Sequence, residues 1–208
     1  MHWSNRIVLI TIILVLAGSG CGPMPGGGMP AMPATKPDSV HQTPPANHGF
    51  RLLRPEPTVA ALTVGEMCTT EIWLDNVQEL YSVELQIEFD PQYVNIVDAD
   101  PLIPGIQVNV GTPPMPNQPL INEVDNNTGL IRYKAVQPTG KSESGSGVVL
   151  SFTTQALNRG GSPLRFKVVK LQDAAGNTLP TPEYVDGLLL IDQQNGEAAS
   201  CFNGAGSF

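Results

Sequence analysis

Tyr81-Ser82-Val83-Glu84-Leu85-Gln86-Ile87-Glu88-Phe89 alternates without a break: Val83, Leu85, Ile87 and Phe89 fall on one side, Ser82, Glu84, Gln86 and Glu88 on the other. A period of two with one apolar side is the pattern of a half-buried antiparallel strand, because successive side chains point to opposite faces of a sheet. The stretch runs into Asp90-Pro91, where proline ends the ladder.

The same period extends outward on both sides. Before it, Cys68 to Asp75 places Thr70, Ile72 and Leu74 on one face and Glu71, Trp73 and Asp75 on the other, and Ala61–Val64 forms a shorter run. After it come Val94–Val97, Ile106–Val110, Leu130–Val136, Val148–Ala156, Leu164–Leu171 and Tyr184–Ile191. Turn chemistry separates these runs, as in Asp125-Asn126-Asn127-Thr128-Gly129, Ser142–Gly147, Asn158-Arg159-Gly160-Gly161 and Ala175-Gly176-Asn177. No capped helical stripe appears past residue 50. The expected fold is all-β: a jelly-roll β-sandwich of about nine strands over residues 57–192.

The flanks read differently. An apolar run over residues 7–17, preceded by Arg6 and followed by Gly18-Ser19-Gly20-Cys21, has the layout of a signal peptide over residues 1–20. Cys21 directly after small residues resembles a bacterial lipoprotein signal, in which the cysteine becomes the first mature residue and carries lipid. A plain secretory signal is the alternative. Both readings expect export to the cell surface or beyond, with membrane contact only through the anchor. Residues 21–56 are crowded with proline and glycine and nearly free of aromatic residues, so they are expected to form a disordered spacer of roughly 30 Å reach. Residues 193–208 read as a low-complexity tail. With Cys21 lipidated, Cys68 and Cys201 remain in a compartment that permits disulfides. A bond between them would pin the tail to the strand of Cys68, and two free thiols are the alternative.

Composition excludes several functions. The chain has 208 residues, net charge −8, and 11 Lys and Arg against 19 Asp and Glu, a deficit unsuited to nucleic acid. All three histidines, His2, His41 and His48, precede residue 50, so Ser-His or Cys-His catalysis and a His-ligated zinc are excluded from the sandwich. The Asp125–Gly129 turn has glycine at its fifth place and Val136 at its twelfth, which does not fit an EF-hand loop. No catalytic residues, metal ligands or cofactor are expected.

The order of these residues resembles the cohesin domain of bacterial cellulosomes. The likeness rests on Val64-Gly65-Glu66, then Leu74-Asp75-Asn76-Val77, then Leu80–Pro91 ending in Phe-Asp-Pro, with Tyr93-Val94 and Ile96-Val97 behind it. Gly129–Ala135, Gly145-Ser146-Gly147 leading to Phe152, and Asp186-Gly187 continue it. It implies a non-catalytic receptor for dockerin, a small helical module that carries its own calcium and tethers polysaccharide-degrading enzymes. The positions matching the family's contact strand are Ser82 and Glu84, where relatives usually hold an Asn or Asp-like pair. With Gln86 and Glu88 they would form an acidic stripe that attracts a basic partner. A carbohydrate-binding module of the same fold is the alternative, with Trp73 and Tyr133 as stacking residues. For Trp73, alternation indicates the wetter face, where it either covers the sheet under Pro113-Pro114-Met115-Pro116 or meets a ligand.

Overall fold

The chain divides into two units, residues 1–43 and 44–208, and the computed structural model describes residues 49–192, all within the second. The signal peptide, the lipid site at Cys21, most of the spacer and the tail lie outside the described residues. No helix occurs among the described residues; they form two packed sheets, an all-β jelly-roll sandwich.

Twelve strands follow one another: β1 Leu52–Glu56, β2 Val59–Thr63, β3 Met67–Leu80, β4 Ser82–Glu88, β5 Val94–Val97, β6 Asn109–Val110, β7 Gln118–Asp125, β8 Leu130–Val136, β9 Glu143–Ala156, β10 Gly160–Gln172, β11 Glu183–Tyr184 and β12 Gly187–Asp192. The first sheet runs β11-β1-β3-β9-β5, with β6 also on β9; the second runs β2-β12-β10-β4-β8-β7. Leu53, Ile72, Leu74, Leu85, Ile87, Ile131, Leu150 and Phe152 fill the space between them with almost no exposure. Burying such side chains supplies the main driving force, about 1.5–3 kcal/mol for each.

Three elements differ from the expectation. β1 lies inside the stretch read as spacer. Its Pro55 is tolerated because the neighbouring β11 pairs only with Leu52 and Leu53, so no ladder bond is needed from Pro55 on that side. β7 carries no clean alternation, since a register shift between Pro119 and Ile121 breaks the period. β3 and the loop-like stretch after Asp75 are one strand, because Asn76 and Glu79 adopt positive φ (53° and 55°) and absorb two irregularities in pairing with β9. Ser146 and Ser144 hydroxyls accept the N–H groups of Asn76 and Glu79 there. Cys68 is buried and disulfide-bonded; Cys21 and Cys201 both lie outside the described residues, so its pairing with Cys201 stays a proposal.

Two asparagines on one edge substitute for backbone. Val108 N–H donates to Asn122 Oδ1 at 2.9 Å and Asn122 Nδ2 donates to Val108 O at 2.8 Å. Asn126 holds both backbone groups of Ile96 in the same way, at 2.9 Å each. Side-chain amides thus join β7 and its turn to the opposite sheet. Asn122→Ala leaves two backbone groups unpaired and is expected to cost about 2 kcal/mol in urea unfolding; a loss under about 0.5 kcal/mol would mean water replaces the amide.

A charged lattice on the outward face of the second sheet

The registers of β10, β4, β8 and β7 set out the outward side chains in rows. Lys170, Glu84, Lys134 and Ile121 form one row; Val168, Gln86, Arg132 and Glu123 the next; Arg165, Glu88, Leu130 and Asp125 the third. Glu84 sits between two ammonium groups, with Lys170 Nζ at 3.2 Å and Lys134 Nζ at 3.5 Å. The hydrogen bond from Lys170, with the charge of both lysines, holds the Glu84 carboxyl below its ordinary value; partial desolvation opposes this. Arg132 pairs with Glu123, 2.6 Å apart, and Lys167, the extra residue of the β10 bulge, reaches Glu88 at 3.5 Å.

The expected acidic stripe is therefore not one. Glu84 is matched by cations from β8 and β10 and Glu88 by one from β10, strands remote in sequence from β4. Gln86 is half-buried between Arg132 and Val168. Ser82 keeps the outward parity but is only 5% exposed. Its short side chain lies between the longer Val136 and Gln172, so it offers a partner little surface.

The stacking pair does not form. Tyr133 pairs with Leu85 across the β4–β8 ladder on the inward side and is 1% exposed, so it cannot meet a sugar. Burial pushes its phenol up to about 12; the Gly111 N–H pulls the other way, yet the hydroxyl completes no hydrogen bond. Trp73 lies half-buried on the outward face of the first sheet, the other side of the sandwich. Its Nε1 donates to Glu71 Oε2 at 2.8 Å, and the Arg54 guanidinium, itself 3.6 Å from Asp75, lies over the ring at 6.0 Å. The Glu71 carboxylate and the Arg54 guanidinium from β1 thus engage the indole. Among the described residues no cluster of His, Cys, Asp or Glu is arranged to hold a metal ion.

No protein-family model matches the chain, and no curated relative matches it. Solved structures do. A non-cellulosomal cohesin from the archaeon Archaeoglobus fulgidus superposes with TM-score 0.52 at 14% identity, covering 69% of this chain and 90% of that one. A type I cohesin–dockerin complex from Clostridium thermocellum gives TM-score 0.51 at 16% identity, with 69% and 100% covered. The sixth cohesin of scaffoldin B from Acetivibrio cellulolyticus, solved with a Cel5 dockerin, gives 0.53 at 11%, with 69% and 100% covered. The fold is cohesin-like.

Proposed function

We propose that this chain is a non-catalytic recognition module that captures a dockerin-type module on the outward face of β10, β4, β8 and β7. The observation that carries the reading is the Lys170–Glu84–Lys134 row at the centre of that face, on the strand that runs into Phe89-Asp90-Pro91. Cohesin structures of the same fold, two of them solved with dockerins, support it. A preformed sheet meets the partner with little rearrangement; apolar neighbours supply most of the affinity and Glu84 and Gln86 fix orientation. Calcium belongs to the partner. In the fuller reading the module is exported, is lipid-anchored through Cys21 on the spacer of residues 21–56, and serves polysaccharide breakdown by gathering secreted enzymes. Direct sugar binding loses Tyr133 to the core, and the Arg54 guanidinium lies over the Trp73 ring that would have to stack.

The test is binding of purified dockerin modules to the immobilised chain in calcium and in chelator. Capture is expected only with calcium. Glu84→Ala removes the carboxylate that holds Lys170 and Lys134 in place and fixes the partner's orientation, and it is expected to weaken capture about tenfold or more while the thermal midpoint moves little, because the site is solvent-accessible. Unchanged affinity would remove this face from the reading, and no capture of any dockerin would remove the dockerin.

A further inference from the structure

We propose that the lattice face selects a partner whose contacting surface is divided, acidic where it meets β10 and apolar where it meets β7. The proposal rests on the dockerin reading and names the chemistry of the partner's contact surface.

The β10 flank is basic by construction. Arg165, Lys167 and Lys170 are exposed, and β10 contributes no carboxylate of its own. Its counter-ions come from β4, and they do not suffice. Glu84 is shared between Lys170 and Lys134, and Arg165 makes no ion pair among the described residues. The opposite flank is apolar at its Leu120–Ile121 end, while Glu123 further along β7 is paired with Arg132 and Asp125 accepts the turn N–H groups of Asn127 and Thr128. The shift after Pro119 turns Leu120 and Ile121 outward, both exposed, and beside them Ile103 and Ile106 line a recess of about 360 Å³. Three strand spacings separate β10 from β7, about 14 Å, and an α-helix is about 10–12 Å across. One helix laid over β4 and β8 therefore reaches both flanks at once.

Charge decides the sign of the selection. The chain as a whole carries −8, so a basic partner finds carboxylates over much of the surface and has little reason to prefer this face. An acidic one is repelled elsewhere and finds incompletely paired cations along β10. Specificity gained by such contrast is a difference of affinities between faces as well as between partners.

The test takes one dockerin module in three forms, with its exposed helix face made acidic, neutral or basic, and measures calcium-dependent binding to the full chain at about 50 mM and about 500 mM sodium chloride. The acidic form is expected to bind at least about tenfold tighter than the basic form at low salt, with the gap closing at high salt. The double variant R165E/K170E is expected to reverse the order, whereas Leu120→Ser weakens all three forms alike. Binding with no charge preference, or with preference for the basic form, overturns this proposal and leaves the dockerin reading standing. Binding of no form in calcium overturns the reading and this proposal with it.

Discussion

Tyr133→Ala is expected to lower the unfolding free energy by about 4 kcal/mol, whereas Tyr133→Phe leaves it unchanged or raises it by up to about 1 kcal/mol. The ring is 1% exposed among the largest buried side chains of the core, so truncation opens a cavity the sheets cannot close. The hydroxyl contributes the opposite way, since it is buried without completing a hydrogen bond. The same burial sets a pH signature. The phenol is pushed up to about 12 in the folded chain, against about 10 when unfolded, so above pH 10 the unfolded state gives up its proton first. Stability present below about pH 10 is then lost between about pH 10 and 12, by roughly 2–3 kcal/mol, and Tyr133→Phe removes that loss. Guanidinium unfolding of the three chains at pH 8 and 11 checks both effects. A phenylalanine variant as damaged as the alanine one would mean the hydroxyl is anchored after all.

Gly129→Ala is expected to cost about 3 kcal/mol, through sterics more than conformation. Gly129 has φ of +70°, and a Cβ there would strike the Phe89 carbonyl oxygen and come within 2.7 Å of Pro91 Cδ. That carbonyl cannot retreat freely, because Phe89 N–H donates to Gly129 O at 2.8 Å and holds the two segments together. Gly140 is the control: it shares φ of +70° but has open space around its missing Cβ. Gly140→Ala should therefore show only the conformational part, about 1 kcal/mol. Equal losses at the two glycines in thermal unfolding would refute the contact argument.

These two residues also mark how far the sequence could be read. Alternation placed Val83, Leu85, Ile87 and Phe89 in the core, where all four are buried, because strand parity is a local property. The same parity puts Ile131, Tyr133 and Ala135 together on the inward side of β8, which takes Tyr133 away from the stacking role that the sugar-binding alternative gave it. Asp125–Gly129 was legible as a turn, but the reason for its glycine was not, since Phe89 and Pro91 approach it only in the folded sheet. The site was half visible. Glu84 points outward as its parity required, yet Lys134 and Lys170 reach it through registers spanning dozens of residues, and no local pattern encodes those. β1 and β7 escaped because proline and a register shift disrupt the period that reveals strands.

The two parallel pairings carry a consequence for the order of events in the chain's life. β1 lies beside β11 with Leu52 opposite Glu183, and β2 has a single strand neighbour, β12, with Val59 opposite Leu188. During synthesis the earliest strands are thus made long before the strands that complete them. Ladders that span so much sequence close slowly, because the entropy of the intervening loop is lost before any contact repays it. The first sheet cannot be finished until Tyr184 exists and the second until Asp192 exists, so the nascent domain stays open for nearly the whole of its own translation.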